Sequence, residues 1–259
     1  MFQAVILGIV QGLTEFIPVS STAHLVVLPM LFKWDGELVN SLSFDVALHA
    51  GTLLSVLFCF YPDLLAMIRD KKKRPMITLL ILATVPAGLS GVFLHDYISG
   101  ALRSPWVIAA SLVVFGIVMY VADRYGRRNR GLVSMKAGEA LWVGLAQALA
   151  LIPGVSRSGI TISAALERGF KRQEAARFSF LLSIPVIAGA AVLEVPKAFS
   201  GGMDTGTGVV AAGFLSAFVT GVIAIRFMLS FLQKRGLGIF VVYRFVLAGV
   251  LGGWLWLAG

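Results

Sequence analysis

The chain has 259 residues, of which 58% are hydrophobic and only 14% charged, a composition too apolar for a soluble domain of this length. The net charge of +9 does not describe a nucleic-acid surface, because the Lys and Arg residues gather in loops between apolar runs instead of alternating with aromatics on a soluble face. Cys59 is the only cysteine and lies inside an apolar run, so an intrachain disulfide is excluded.

The first element, 1–30, is apolar but broken at Pro18, and it carries the stretch QGLTEFIPVSSTAH at 11–24. No Lys or Arg precedes Lys33 and Glu15 interrupts the apolar run, which argues against a cleavable signal peptide. Runs of spanning length follow near 44–68, 76–97 and 105–122. A second broken element covers 139–166, interrupted at Pro153-Gly154 just before Ser156-Arg157-Ser158. Three further runs, near 178–196, 208–232 and 238–258, complete an all-α polytopic membrane protein with six transmembrane helices.

The two broken elements match one another. An offset of 136 residues sets Gly8 on Gly144, Gln11 on Gln147 and Ser20 on Ser156. The chain therefore reads as two repeats, 1–130 and 131–259, each a broken element followed by three spans, with the second inverted. Placing the basic loops 69–74, 124–136, 168–177 and 234–235 in the cytoplasm leaves Lys33, Arg103 and Lys197 outside. Both termini then face outward, and 1–30 and 139–166 are re-entrant helix-turn-helix elements whose tips meet near the midplane.

Irregular backbone at membrane depth must line protein or a water-filled cavity, because lipid cannot satisfy free N–H and C=O groups. Ser20 or Ser21 is expected to cap a helix from about Thr22 to Phe32, and Ser156 or Ser158 one from about Gly159 to Arg168. Two helix N-termini then face one cavity and form an anion site, to which Arg157 adds a planar fork suited to phosphate oxygens. Gln11 and Glu15, four apart, share a face and offer oxygens to a divalent ion. Ser21 and His24, three apart, place an imidazole where it can exchange a proton with a hydroxyl. The set describes phosphoryl transfer. Each residue also has a structural reading: the serines as caps, His24 as a packed side chain, Arg157 as an ion-pair partner of Glu15. His49, His95, Arg226 and Arg244 belong to no such constellation and read as structural.

QGLTEFIPVSSTAH, together with PGVSRSGIT at 153–161, resembles the two signatures of the bacterial undecaprenyl-diphosphatase family, also called BacA or UppP. The similarity extends along the chain through FSFLLSIP at 178–185 and YRF at 243–245. The resemblance implies hydrolysis of undecaprenyl diphosphate to the monophosphate carrier of cell-wall synthesis. It also implies a divalent metal, usually Mg2+, and a site on the outer side of the bacterial inner membrane. By position it makes Glu15, Ser21, His24 and Arg157 catalytic, Ser20, Thr22, Ser156, Ser158 and Thr161 substrate-binding, and Gln11 with Glu15 the metal site. Gln11 stands where many members have Glu, and Ala23 where Gly is usual. Membrane lipid and a second copy of the chain are further partners to expect. The rival readings are a secondary transporter of a small anion, which shares the architecture but needs no Ser21/His24 pair, and a lipid flippase. Acid phosphatases are excluded, since Ser163 stands where their motif requires histidine after Ser156-Arg157.

Overall fold

A computed structural model describes residues 1–34, 42–93, 102, 104–200 and 206–258, with no side-chain account of 42, 195–200 and 258; His95, Arg103 and the Lys197 side chain therefore lie outside the described residues. Ten α-helices form among the described residues, and the only strand-like pairing there is an isolated bridge between Arg130 and Phe170. They are α1 Phe2–Phe16, α2 Ser21–Phe32, α3 Leu42–Arg69, α4 Pro75–Phe93, α5 Pro105–Tyr125, α6 Ala137–Ala148, α7 Arg157–Glu167, α8 Arg172–Ser200, α9 Thr207–Lys234 and α10 Gly238–Ala258. Six of them, α3, α4, α5, α8, α9 and α10, are long and apolar enough to cross a membrane. The chain is thus an all-α, multi-pass membrane protein, and the expected runs fall inside these helices, except that positions 94–97 of the run 76–97 lie outside the described residues.

α8 starts at Arg172, earlier than its apolar run, because the polar first turns find partners. Arg172 pairs with Asp123, Arg177 with Asp63, and Glu174 accepts the Leu132 N–H at 3.1 Å. Cys59 is a free, half-buried thiol within α3.

The short helices are held by spans distant in sequence. α1 packs mainly on α9, where Gly8 approaches so closely that a Cβ there would lie 2.5 Å from the Gly213 carbonyl oxygen. α6 packs mainly on α4 in the same manner, with a Cβ on Gly144 falling 2.4 Å from the Ala83 oxygen. Small residues at such crossings let backbones touch where no hydrophobic drive between helices exists. The main core is built around Phe16, Phe60, Phe178, Phe180 and Met228 and takes in Val19 of the first helix break.

The start of α6 and the end of α7 are tied together. Arg130 donates to both carboxylate oxygens of Glu139, to the Ser134 carbonyl at 2.9 Å and to the Arg168 carbonyl at 3.0 Å. Those bonds hold the Glu139 carboxyl below its usual pKa, the Arg130 hydrogen bond being the main cause.

Candidate active site

Each short helix pair turns on one serine in an unusual backbone conformation. Ser20 has φ 75° and ψ 98°, and Ser156 has φ 74° and ψ 110°. Positive φ is rare away from glycine and persists where surrounding structure over-determines it, most often at functional sites. Ser20 Oγ accepts the Ala23 N–H at 3.3 Å and Ser156 Oγ accepts the Gly159 N–H at 3.2 Å. Of the alternatives open in the sequence, Ser20 and Ser156 are the caps. α2 begins at Ser21 and α7 at Arg157, one and two residues earlier than expected. Capping satisfies only one of each terminus's orphan donors. The N–H groups of Ser21, Thr22, Arg157 and Ser158 have no acceptor among the described residues.

The tips touch. Arg157 Nη2 donates to Glu15 Oε1 at 2.8 Å, and Ser158 Oγ reaches the Ile17 carbonyl at 3.5 Å. Arg157 Nη1 donates to the Ser179 carbonyl at 2.9 Å, so α8 aims the guanidinium from behind. The Thr161 hydroxyl donates to the Arg157 carbonyl at 2.7 Å and therefore accepts from Ser179 Oγ, also at 2.7 Å. Two of the five guanidinium N–H groups are committed and three remain for a ligand.

Glu15 is the junction. Its Oε2 accepts Gln11 Nε2 at 3.1 Å and the Ser21 hydroxyl at 2.9 Å, while Oε1 holds Arg157. Glu15 is 8% exposed, so this carboxylate is charged because a cation and two donors surround it. Ser21 does not bond to His24, the partner that their spacing had suggested: its proton points at Glu15. The Ser21–His24 spacing describes neighbours on one helix face, whereas Ser21 is the first helical residue and turns back across the break.

His24 is held by two other groups. A carbonyl can only accept, so Nδ1 carries the proton that it donates to the Ser20 oxygen at 2.7 Å. In the neutral ring the Nε2 lone pair then accepts the Tyr243 hydroxyl, also at 2.7 Å, with the two rings stacked 5.6 Å apart. Tyr243 escaped the residue-level reading because 219 positions separate it from His24; the YRF resemblance was its only signal. Its neighbour Arg244 braces the other tip. It is fully buried and donates to the carbonyls of Ser111, Leu112, Gly154 and Val155, fixing the turn that presents Ser156. Arg244 is structural, as expected, but it is structure that serves the site. His49 caps its own turn through the Asp45 carbonyl at 2.8 Å.

Oxygen donors for a hard cation are present but few. Gln11 Oε1 is buried and has no hydrogen-bond partner among the described residues, and Glu15 and Ser21 Oγ stand beside it. Among the described residues no group of three or more His, Cys, Asp and Glu forms an all-protein cage. One carboxylate plus an amide oxygen fits Mg2+ of the kind completed by waters and substrate phosphates.

A bundle with six potential spans, in which two capped helix breaks bring a carboxylate, a hydroxyl and a guanidinium together, belongs to the membrane proteins that handle oxyanions. The family model described as "Bacitracin resistance protein BacA" matches residues 4–250, and the chain belongs to that family. A protein of Thermodesulfovibrio yellowstonii named undecaprenyl-diphosphatase is 49% identical over 251 residues, covering 97% of this chain and 96% of its own. Proteins of the same name from Thermomicrobium roseum and Alcanivorax borkumensis are 46% and 43% identical, each covering at least 96% of both chains. These names belong to a hydrolase and give no support to the transporter reading.

Proposed function

We propose that the protein is a membrane phosphatase that hydrolyses undecaprenyl diphosphate to the monophosphate and inorganic phosphate. The observation that carries this reading is the Glu15 junction, which joins a hydroxyl of one tip to a guanidinium of the other in a chain of this family. Transport of an anion needs donors but no activated hydroxyl.

In the proposed mechanism, the diphosphate lies between the tips, on the free N–H groups of Ser21, Thr22, Arg157 and Ser158 and the uncommitted edge of Arg157. Ser20, Ser156 and Thr161 hold these donors in place through caps and hydroxyl contacts. Ser21 Oγ attacks the terminal phosphorus while its proton passes to Glu15, and the bond to the bridging oxygen breaks with its electron pair leaving on the lipid monophosphate. Water then attacks the phosphorus of the serine phosphoester, Ser21 Oγ leaves with the bonding pair and takes its proton back from Glu15, and the water's protons depart on the released phosphate. Arg157 stabilises the charge that develops. A divalent metal held by Glu15 and Gln11 Oε1 would neutralise phosphate charge when bound. His24 supports a second reading, since its Nε2 lone pair is the free nucleophilic position of the ring once the Tyr243 hydroxyl swings aside. An acid-labile, base-stable phosphoenzyme that vanishes in His24→Ala but survives in Ser21→Ala would assign that role to His24.

The proposal extends to topology: two inverted repeats, 1–130 and 131–259, with re-entrant tips, in the bacterial inner membrane with the site open outward. Supporting it, α1 rests on the second span of the other half, α9, and α6 rests on the corresponding α4. Arg130 also joins the two ends of the second hairpin, as a segment returning to its side of origin requires. A second copy of the chain is a further proposed partner, and the mass of the detergent-solubilised particle tests it. Phosphate release from purified protein in detergent, with Mg2+ or with chelator, tests the activity; anion uptake by proteoliposomes without phosphate release would refute it. Labelling of a cysteine at position 72 from outside would refute the topology.

A further inference from the structure

Arg226 lies inside α9, eight residues before its last residue, and is exposed on the surface of a helix long and apolar enough to span. Arginine at such a position is costly in lipid and marks function unless a counter-charge meets it. No carboxylate among the described residues pairs with Arg226; its polar neighbour is the Cys59 thiol, a weak acceptor.

Ser230 and Lys234 follow at successive four-residue steps, so the three exposed side chains form one ladder about 12 Å long, at about 1.5 Å per residue. Arg235 continues it into the turn. Beside the ladder open two adjoining clefts of about 300 and 450 Å³, both lined by Phe231 and Arg235. Their walls are apolar, with Phe227 and Ile239 exposed beside them. The neighbouring carboxylates are already engaged: Asp123, behind Gly236, by Arg172 and the Leu237 N–H, and Asp63, one turn beyond Cys59 on α3, by Arg177.

We infer that this face of α9 and the α9–α10 turn form a binding site for an anionic phospholipid, separate from the Glu15 junction. The phosphate would sit among Arg226, Ser230, Lys234 and Arg235, with an acyl chain along Phe227 and Ile223. Charge complementarity selects this occupant over a second copy of a chain that itself carries +9. Basic pockets between transmembrane helices bind lipid headgroups for the same reason. Arg226 carries the headgroup site below the helix end, where a zwitterionic lipid, whose ammonium cancels its phosphate, gains less.

The test is native mass spectrometry of the full chain from mixed micelles holding equal phosphatidylglycerol and phosphatidylcholine of identical acyl chains. Wild type is expected to retain phosphatidylglycerol at least about tenfold more, and a variant carrying Arg226→Gln, Lys234→Gln and Arg235→Gln to lose that preference. Its phosphate release should stay unchanged. A variant removing equal charge by Lys71→Gln, Lys72→Gln and Lys73→Gln should keep the preference. Equal retention of both lipids by wild type, or equal loss in the two variants, overturns the site. So does full competition by millimolar inorganic phosphate, which would identify a free-anion site. If the triple variant does not fold, Lys234→Gln alone must lower the preference measurably for the inference to stand.

Discussion

Glu15→Gln separates the parts that meet at the junction. The amide keeps the shape and can still accept from Ser21, but it cannot take a proton. Nor can it neutralise Arg157, whose side chain is 12% exposed against 8% for Glu15. Loss of a general base is worth about 10²–10⁴ in rate, so kcat should fall by that range. Binding should move the other way. Removing one negative charge from beside the diphosphate relieves a repulsion of roughly 3 kcal/mol at about 5 Å with an effective dielectric near 20, an upper limit that salt reduces. Measured in chelator, so that the loss of Glu15 as a metal ligand does not enter, affinity for a short-chain polyprenyl diphosphate should therefore tighten by about tenfold or more. Phosphate release gives kcat, and calorimetry on the variant gives Kd. A cycle with Ser21→Ala then isolates the pair, since the double variant should be no slower than the worse single one if the two act as a unit. A kcat within about fivefold of wild type, or fully additive losses, would refute the transfer of the Ser21 proton to Glu15.

Arg157→Lys should lose about 10²–10³ in kcat despite keeping the charge, because a lysine cannot hold Glu15, the Ser179 carbonyl and a phosphate at fixed angles; phosphate-release kinetics report it. Tyr243→Phe removes one hydroxyl and should lower kcat by about tenfold with KM little changed, and histidine nitrogen NMR should still show the Nδ1–H tautomer because the Ser20 carbonyl remains. Gly12→Ala should lower the thermal midpoint in detergent by an amount equivalent to about 1–3 kcal/mol, since the new Cβ would lie 2.5 Å from the Ala217 carbonyl oxygen.

Both helix breaks were legible because proline, a small polar run and apolar flanks are local signals, and Ser20 and Ser156 fulfil them at equivalent places. The Gln11–Glu15 face was legible too, as an i, i+4 relation within one helix. Partners that arrive across a break or from another helix were not. Ser21 lies six residues from Glu15 and meets it only because the chain reverses at Pro18, and neither Ser179 nor Tyr243 has a spacing relation to the residue it orients. The early start of α8 was hidden for a related reason. A window average counts Arg172, Glu174 and Arg177 as polar, whereas the fold supplies each with a partner.

The packing of α1 on α9 has a consequence for biogenesis. The platform that receives the first polar hairpin begins at Thr207, so 190 residues follow Phe16 before its docking surface starts to leave the ribosome. At about 5–20 residues per second this is a wait of roughly 10–40 s, during which Glu15 lacks the α9 wall throughout and lacks Arg157 until that residue is made. The nascent hairpin must spend that interval protonated, hydrated at the bilayer surface, or sheltered by the insertion machinery. Ribosome-arrested chains ending before and after α9 should accordingly differ in whether a cysteine placed at Ser21 reacts with a water-soluble maleimide.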